Sequence, residues 1–493
     1  MFRPILAGLW VVAVLGPQGA LPGSTRHAQE PPAAARSSRA AEAPPSGSDL
    51  ERRLAGRVDE KRAAALVRDL VALGPRMGGT ASGERAVARL EKELGGLGLR
   101  VERHLAPEQW CHEPTDWSVE VRVEGVDDTV RLERIWPWGF SPSGEGADVP
   151  LTLGASDTVT SPSTALLTDR FGGTRRGNEP AALVLVDGAC TIDGEWPVCR
   201  SLRRRENQSP TFGISRAEGA RLREALGRGA EVTVDWKLET TIRRAQPITV
   251  VARLAARESA RPGHLLVCAH GDSDSGGPGA NDNASGVAIV LEIARAWTAA
   301  IEAGDLEPPS REVRFAIWGT EIASTRAYLE SELGSDVIAV LNFDQAGYGS
   351  TGQRLHVEPD DLAGNAGFVR AAAGVLGTFA GSKGFPARWA TNKSLGGTDS
   401  YVFSSSKRFR EEQLPSVTMF TSAWGSPDEH DRTEGMPGES WTERDRVAID
   451  YDRHYHSAGD TPENTTDLEP ENMGWCARVG LLTSLRWLDA IDG

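Results

Sequence analysis

Cysteine is scarce in this chain: Cys111, Cys190, Cys199, Cys268 and Cys476 are the five among 493 residues. No pair has the spacing of a zinc knuckle or a thioredoxin-like motif, which excludes those two uses. An excess of basic residues is lacking as well. Lys and Arg total 54 against 69 Asp and Glu, a formal net charge of −15 with a pI near 5.2. That excludes nonspecific nucleic-acid binding, which needs a basic surface. Internal repeats are absent. Apolar residues make up 39% and charged residues 25%, with 54 Gly and 29 Pro. That balance excludes a collagen, a coiled coil or a largely disordered chain. The length predicts about three domains, at ~150 residues each.

Long apolar runs are missing except at the extreme N-terminus. There Arg3 precedes an apolar core over 5–15, followed by Gly16, Pro17, Gly19 and Ala20. The core is shorter than the ~20 helical residues that span a bilayer, so 1–28 read as a signal peptide, cleaved after Ala20 or Ala28. No cysteine lies near that site, which argues against a lipid anchor and for export without a stable membrane anchor. Residues 29–50 are rich in Pro, Ala and Ser and read as a disordered linker. In an oxidising compartment Cys190 and Cys199 are the best disulfide candidates. Cys268 lies in an apolar run and reads as a buried core thiol; Cys111 and Cys476 are left as a second conceivable pair.

Beyond the linker the periodicity changes twice. Residues 50–98 carry helical stripes, with Val67, Leu70 and Val71 on one and Val87, Leu90 and Leu94 on another, and 51–117 read as the N-terminal part of the catalytic domain. The loop Gly74-Pro-Arg-Met-Gly-Gly79 separates them. Residues 118–244 hold short β-rich runs at 119–123, 165–167, 182–186 and 232–236, with one helix over 216–226, and read as a small β-rich insert. From 245 to 493 apolar strands alternate with helical stretches, which predicts an α/β domain with a mostly parallel mixed sheet flanked by helices.

Ligands of open α/β sheets gather at the carboxyl ends of the strands. The strand predicted over 264–269 ends at His270, followed by Asp272. The strand over 313–318 ends at Gly319-Thr320-Glu321, and the strand over 337–343 at Asp344. Between the first two lies Gly279-Ala-Asn-Asp-Asn-Ala-Ser-Gly286, which opens a helix and places Asp282 near its start. His456 stands in a loop before the last helix. Imidazole with carboxylate suits zinc, a catalytic zinc keeps a position open, and one carboxylate can bridge two ions. Each residue alone has a plainer reading: Asp282 as a helix cap, Asp344 as a turn residue, His270 as a core histidine. The five together, in this order, point to a metal centre.

These motifs resemble metallopeptidase family 28, which holds co-catalytic zinc aminopeptidases and carboxypeptidases and shares its fold with glutaminyl cyclases and the transferrin receptor. The Asp282-Asn-Ala-Ser-Gly286 loop is the most specific element. The helical segment 58–103, with Gly74-Pro-Arg-Met-Gly-Gly-Thr80, resembles the family's N-terminal part. Residues 118–244, with Pro210-Thr-Phe-Gly-Ile-Ser215, resemble its protease-associated insert. The resemblance implies two zinc ions: His270 and Asp344 on one, His456 on the other, and Asp282 bridging. Asp272 would steer the His270 imidazole, and a glutamate would take the proton of the attacking water.

The glutamates depart from the family pattern, which has two in succession, base then ligand. Aligned from the strand, Glu321 is the base and Ile322 stands where the ligand should be. Aligned from the Ser-Thr-Arg-Ala-Tyr side, Glu321 is the ligand and Thr320 holds the base position. The strand fixes register better than the loop, so Glu321 is read as the general base. Glu330 and Asp450 are the candidate substitutes for the missing ligand. Asp399, in Gly396-Gly-Thr-Asp-Ser400, stands where the family often has Asp-His. The long loop 421–446, with Trp424 and Trp441, reads as a wall of the site. The basic run Arg200-Ser-Leu-Arg-Arg-Arg205 reads as a solvated face. The resulting expectation is an exported zinc exopeptidase, an aminopeptidase first, acting on peptides or small aminoacyl substrates. The alternatives are a binding protein without turnover, or a carboxypeptidase or cyclase on the same scaffold.

Overall fold

Strand His264–His270 is buried along its whole length, as a continuous apolar run predicts for a strand covered on both faces. It runs parallel between Glu312–Trp318 and Val337–Phe343, with His270 opposite Trp318. Ser416–Phe420 adds a fourth parallel strand beside Val337–Phe343. Ile248–Leu254 and Arg100–Leu105 extend one edge in antiparallel pairing. Arg354–Glu358, antiparallel to Ser416–Phe420, and Arg388–Thr391 extend the other. The eight strands form the expected mixed sheet. The computed structural model describes residues 48–154, 161–174, 178–203, 207–258, 260–273, 276–349, 354–393, 397–422 and 452–492. The signal peptide, the linker up to residue 47, Trp424, Trp441 and Asp450 lie outside the described residues.

Alternation along the central strand divides the core. Leu265, Val267 and Ala269 belong to a large cluster that includes Val287, Ile293 and Trp297 of helix Ser285–Glu302 and Val479 and Leu482 of helix Glu471–Asp492. Leu266 and Cys268 pack on the opposite face with Trp318, Tyr328 and Phe403. Cys268 is thus the core thiol its surroundings predicted. Each large apolar side chain so buried contributes about 1.5–3 kcal/mol. Among the described residues, one helix, Ala280–Glu302, is long and apolar enough to cross a bilayer by length and composition, an apolar run that the sequence reading did not single out. Most of it is buried in this core, which accounts for its composition without a membrane.

The second sheet also has eight strands. Gln109–Val123 and Val232–Ala245 form its long antiparallel pair. Gly144–Leu153, Ala165–Thr168, Leu183–Val186 and Thr211–Ile214 continue it, and helix Arg216–Gly227 covers it. The sheet begins nine residues before the β-rich composition shift at 118. Pro114 explains the lag: it sits at a register shift, where a strand tolerates proline without ending. At the other boundary, helix Asp49–Ala55 begins inside the stretch read as linker. Ser48 and Glu51 close a reciprocal capping box there, an N-terminal signature readable in the sequence.

The expected Cys190–Cys199 disulfide is not formed; no disulfide occurs among the described residues. Cys190 stands opposite Pro197 in a hairpin, and its thiol donates to the carbonyls of Asp187 and Ile214. Nearness in sequence does not supply the Cβ geometry that a disulfide requires. Cys111 and Cys476 are buried in different places, Cys111 donating to Gly79 O and Arg243 O and Cys476 in the large core cluster.

Candidate metal centre

The chain leaves His264–His270 by one crossover to Glu312–Trp318 on one side and then reaches Val337–Phe343 on the other. The crevice outside the carboxyl ends of these strands is where such a reversal places a ligand. His270, Asp282 and Asp344 meet there, with ligand atoms within 4.8 Å of one another. His270 Nε2 lies 3.2 Å from Asp282 Oδ1 and 3.4 Å from Asp344 Oδ1. The second oxygen of Asp282 lies 3.0 Å from His456 Nε2. One carboxylate therefore faces both histidines, one oxygen to each.

The loop before helix Ser285–Glu302 is built to leave Asp282 available. Asn283, not Asp282, serves the helix start: its Oδ1 accepts the Gly286 amide at 2.9 Å and its Nδ2 donates to Phe343 O. A Cβ on Gly286 would overlap the Asn283 side chain and Phe343 O, which explains the glycine. Asn281 accepts from Gly347 N and donates to Asp452 Oδ2 at 2.7 Å. Asp460 accepts the amides of Asn281 and Asp282 at 2.8 and 3.0 Å. The helix-cap reading of Asp282 thus falls to its neighbour.

Glu321 and Asp399 complete the acidic wall. Asp272 Oδ1 accepts the Glu321 amide at 3.1 Å and faces His270 Nδ1 at 3.3 Å; the Asp272 carbonyl faces the same nitrogen at 3.1 Å. Asp399 Oδ1 accepts the Ile322 amide at 2.9 Å and the Thr325 hydroxyl. Burial pushes the Glu321 carboxyl well above its usual range, and Asp344, Asp399 and Asp282 push it further against the pull of His270. Burial likewise takes Asp399 up to about 7 and Asp452 up to about 6. Burial opposes a charged His270, yet Asp344, Asp272 and Asp282 hold its pKa well above the ordinary value. The Thr320 hydroxyl donates to Gly319 O and accepts from Gln109 Nε2 at 3.0 Å. It is committed away from the acidic wall, which disfavours the alignment that makes it the base.

Sequence reasoning assigned nothing to Arg76, which the structure places beneath the centre. Its guanidinium is fully buried and donates to Gly271 O at 3.1 Å, Pro278 O at 2.9 Å and Gly279 O at 2.6 Å. Burial lowers its pKa to about 10, with Asp460, Asp272 and Asp282 acting the other way. It stays a cation at neutral pH and holds both ends of the segment between His270 and Asp282. Its only signal in the sequence was a breaker-rich loop.

The donors fit zinc at one position. Tetrahedral bonds of about 2.0–2.1 Å set ligand atoms about 3.3 Å apart, close to the separations around His270 Nε2. Neither that nitrogen nor Asp344 Oδ1 makes a hydrogen bond, although both are buried. The second position has Asp282 and His456 but no third donor among the described residues. Ile322 offers only hydrocarbon. Glu330 is exposed at the C-terminal end of helix Ala323–Leu329.

A mixed sheet with a histidine–carboxylate cluster at the carboxyl ends of its parallel strands defines the class: a fold of the zinc-exopeptidase type. Residues 249–479 match peptidase family M28, so the resemblance carried by the motifs holds for this segment. A probable lipoprotein aminopeptidase of Mycobacterium tuberculosis is 29% identical over 224 residues, 43% of this chain and 41% of that protein. The chain spans about half the length of the curated relatives it matches. A peptidase M28 precursor from Shewanella amazonensis shares the fold at 16% identity, with a TM-score of 0.58 over 89% of this chain and 96% of that one. A zinc aminopeptidase of Bacillus subtilis does so at 18% identity, with a TM-score of 0.53 over 87% and 95%.

Proposed function

We propose that this chain is an exported zinc-dependent exopeptidase, acting first as an aminopeptidase on peptides. The observation that carries the reading is the split carboxylate of Asp282, one oxygen toward His270 and the other toward His456, beside Glu321. The M28 match and the relatives named as aminopeptidases support it. Export is supported by the N-terminal segment and by relatives named as a lipoprotein and a precursor.

His270, Asp282 and Asp344 would hold one zinc firmly. The metal supplies a Lewis acid for the scissile carbonyl and an acidified water. Glu321 takes the proton of that water and returns it to the departing amine. Its raised pKa suits a group that must hold a proton between the two steps. Asp272 fixes the His270 ring and the Glu321 amide together, and Asp399 fixes the amide of Ile322. Asp282 and His456 alone bind a second ion weakly, which makes one tight zinc the expected content.

Hydrolysis of aminoacyl anilides by the zinc-loaded protein tests the activity. Glu321→Gln should lower kcat by about 10²–10⁴-fold with zinc content unchanged. Equal rates would remove Glu321 from the base role. The absent third ligand favours one second reading, a binding protein without turnover. That reading gains if the loaded wild type cleaves no aminoacyl or peptide substrate.

A further inference from the structure

We propose that the cleft beside His456 recognises a carboxylate on the substrate through Arg170, Arg200 and Arg203. The inference takes its peptide substrate from the reading above. The cleft has a volume of about 890 Å³ and is lined by segments of the second sheet together with Tyr455 and His456. His456 touches Asp282, so the cleft opens onto the metal centre.

Its charge is opposite to that of the rest of the chain. Among the described residues, three guanidinium groups and a single carboxylate, Asp169, line it, in a protein with net charge −15. None of the three arginines makes an ion pair among the described residues. Their neighbours in the insert are paired: Arg134 with Glu195 at 2.6 Å and Arg223 with Asp187 through two hydrogen bonds. The basic run at 200–205 is therefore more than a solvated face, because Arg200 and Arg203 border a cavity.

The backbone that carries Arg200 is tied to the metal centre. Cys199 N donates to His456 O at 2.7 Å, and Val198 bridges Ser457. Gly139 N donates to Arg200 O, and Leu202 N to Gly139 O. A guanidinium fork so placed matches a carboxylate in shape and charge. The acids around His270 attract a free amine, and the arginine wall attracts a carboxylate. A short peptide would lie between them with its amine at the metal and an acidic group beyond the scissile bond. An acidic side chain and a terminal carboxylate present the same chemistry.

The test is equilibrium binding to the full zinc-loaded chain by calorimetry. Three reduced-amide analogues of alanyl dipeptides serve as probes, since they are not cleaved: one ends in glutamic amide, one in alanine free acid, one in alanine amide. Either acidic probe should bind about tenfold tighter than the neutral one, and 0.5 M salt should erase the difference. A gain by the first probe assigns a side-chain carboxylate, a gain by the second a terminal one. In Arg170→Gln/Arg200→Gln/Arg203→Gln the ratio should fall to about one, with zinc content and melting temperature showing that the variant is folded. Equal binding of all three probes to the wild type, or a preference that survives the triple change, would overturn the proposal. Alanyl anilide turnover is scored separately. A protein that shows the arginine-dependent preference but no turnover keeps this site and loses the peptidase reading.

Discussion

Ile322 sits at φ 58, a left-handed conformation that a β-branched side chain rarely adopts. Its amide is held there by Asp399, and its hydrocarbon side chain offers no donor to a metal. Strain of this kind, about 1–3 kcal/mol, persists where surrounding contacts fix it. Restoring a carboxylate should then restore the second site. Ile322→Glu is expected to raise zinc from about one to about two per chain after equilibration and desalting, since it completes a third protein ligand. Elemental analysis checks it; one zinc in the variant, or two in the wild type, contradicts the single-site account. Arg76 works at the same scale from the other side. Arg76→Met removes the side-chain donor from Gly271 O and Pro278 O and one of the two donors to Gly279 O, which keeps the Ala284 amide. It should weaken zinc binding by about 10–100-fold, measured by chelator competition, with the secondary structure retained. Unchanged affinity would reduce Arg76 to packing.

The loop between His270 and Asp282 shows how an element carries this precision. Gly279 has φ 64, and a Cβ there would overlap Ser273 and come within 2.6 Å of the Asp282 carbonyl. Gly279→Ala should cost about 2 kcal/mol or more, from the left-handed conformation and the clash together. A lowered urea midpoint with poorer zinc retention is the expected outcome, and wild-type values for both would show that the loop yields. Elements of this kind were legible where a local rule governs them. Apolar runs located the strands that deliver His270, Glu321 and Asp344, and the glycine-bounded loop located Asp282. What was hidden depends on contacts between distant segments. Arg76 binds carbonyls about 200 positions away. Asp460, four residues after His456, gains meaning only by clamping Asn281 and Asp282. The cap question at Asp282 could be settled only by seeing that Asn283 takes the Gly286 amide.

Across the whole molecule, the segments of the second sheet and those of the first share hydrogen bonds at the candidate site: Cys199 to His456, Trp136 Nε1 to Gly276 O, and Gln109 to Thr320. Cooperative stability therefore bears on function, and its pH dependence follows from buried histidines. His356, in strand Arg354–Glu358, is fully buried, faces Asn392 and stacks on Phe420. Burial, helped by Arg354, lowers its pKa to about 3. The folded-state value lies below the unfolded value of about 6.5, so the unfolded chain takes up the proton first as pH falls. The contribution is whole above pH 6.5 and is lost from there down toward pH 3. Between pH 7 and pH 5 it removes about 2 kcal/mol of stability. Asp399 and Asp452, raised by burial, gain protons over the same range and act in the opposite sense in the metal-free protein. The comparison that isolates His356 is therefore between wild type and His356→Gln, each unfolded by urea at pH 7 and at pH 5. The wild type should lose about 2 kcal/mol more than the variant across that interval. Equal losses would mean that this imidazole takes up its proton without unfolding, and that strand Arg354–Glu358 opens locally to let it.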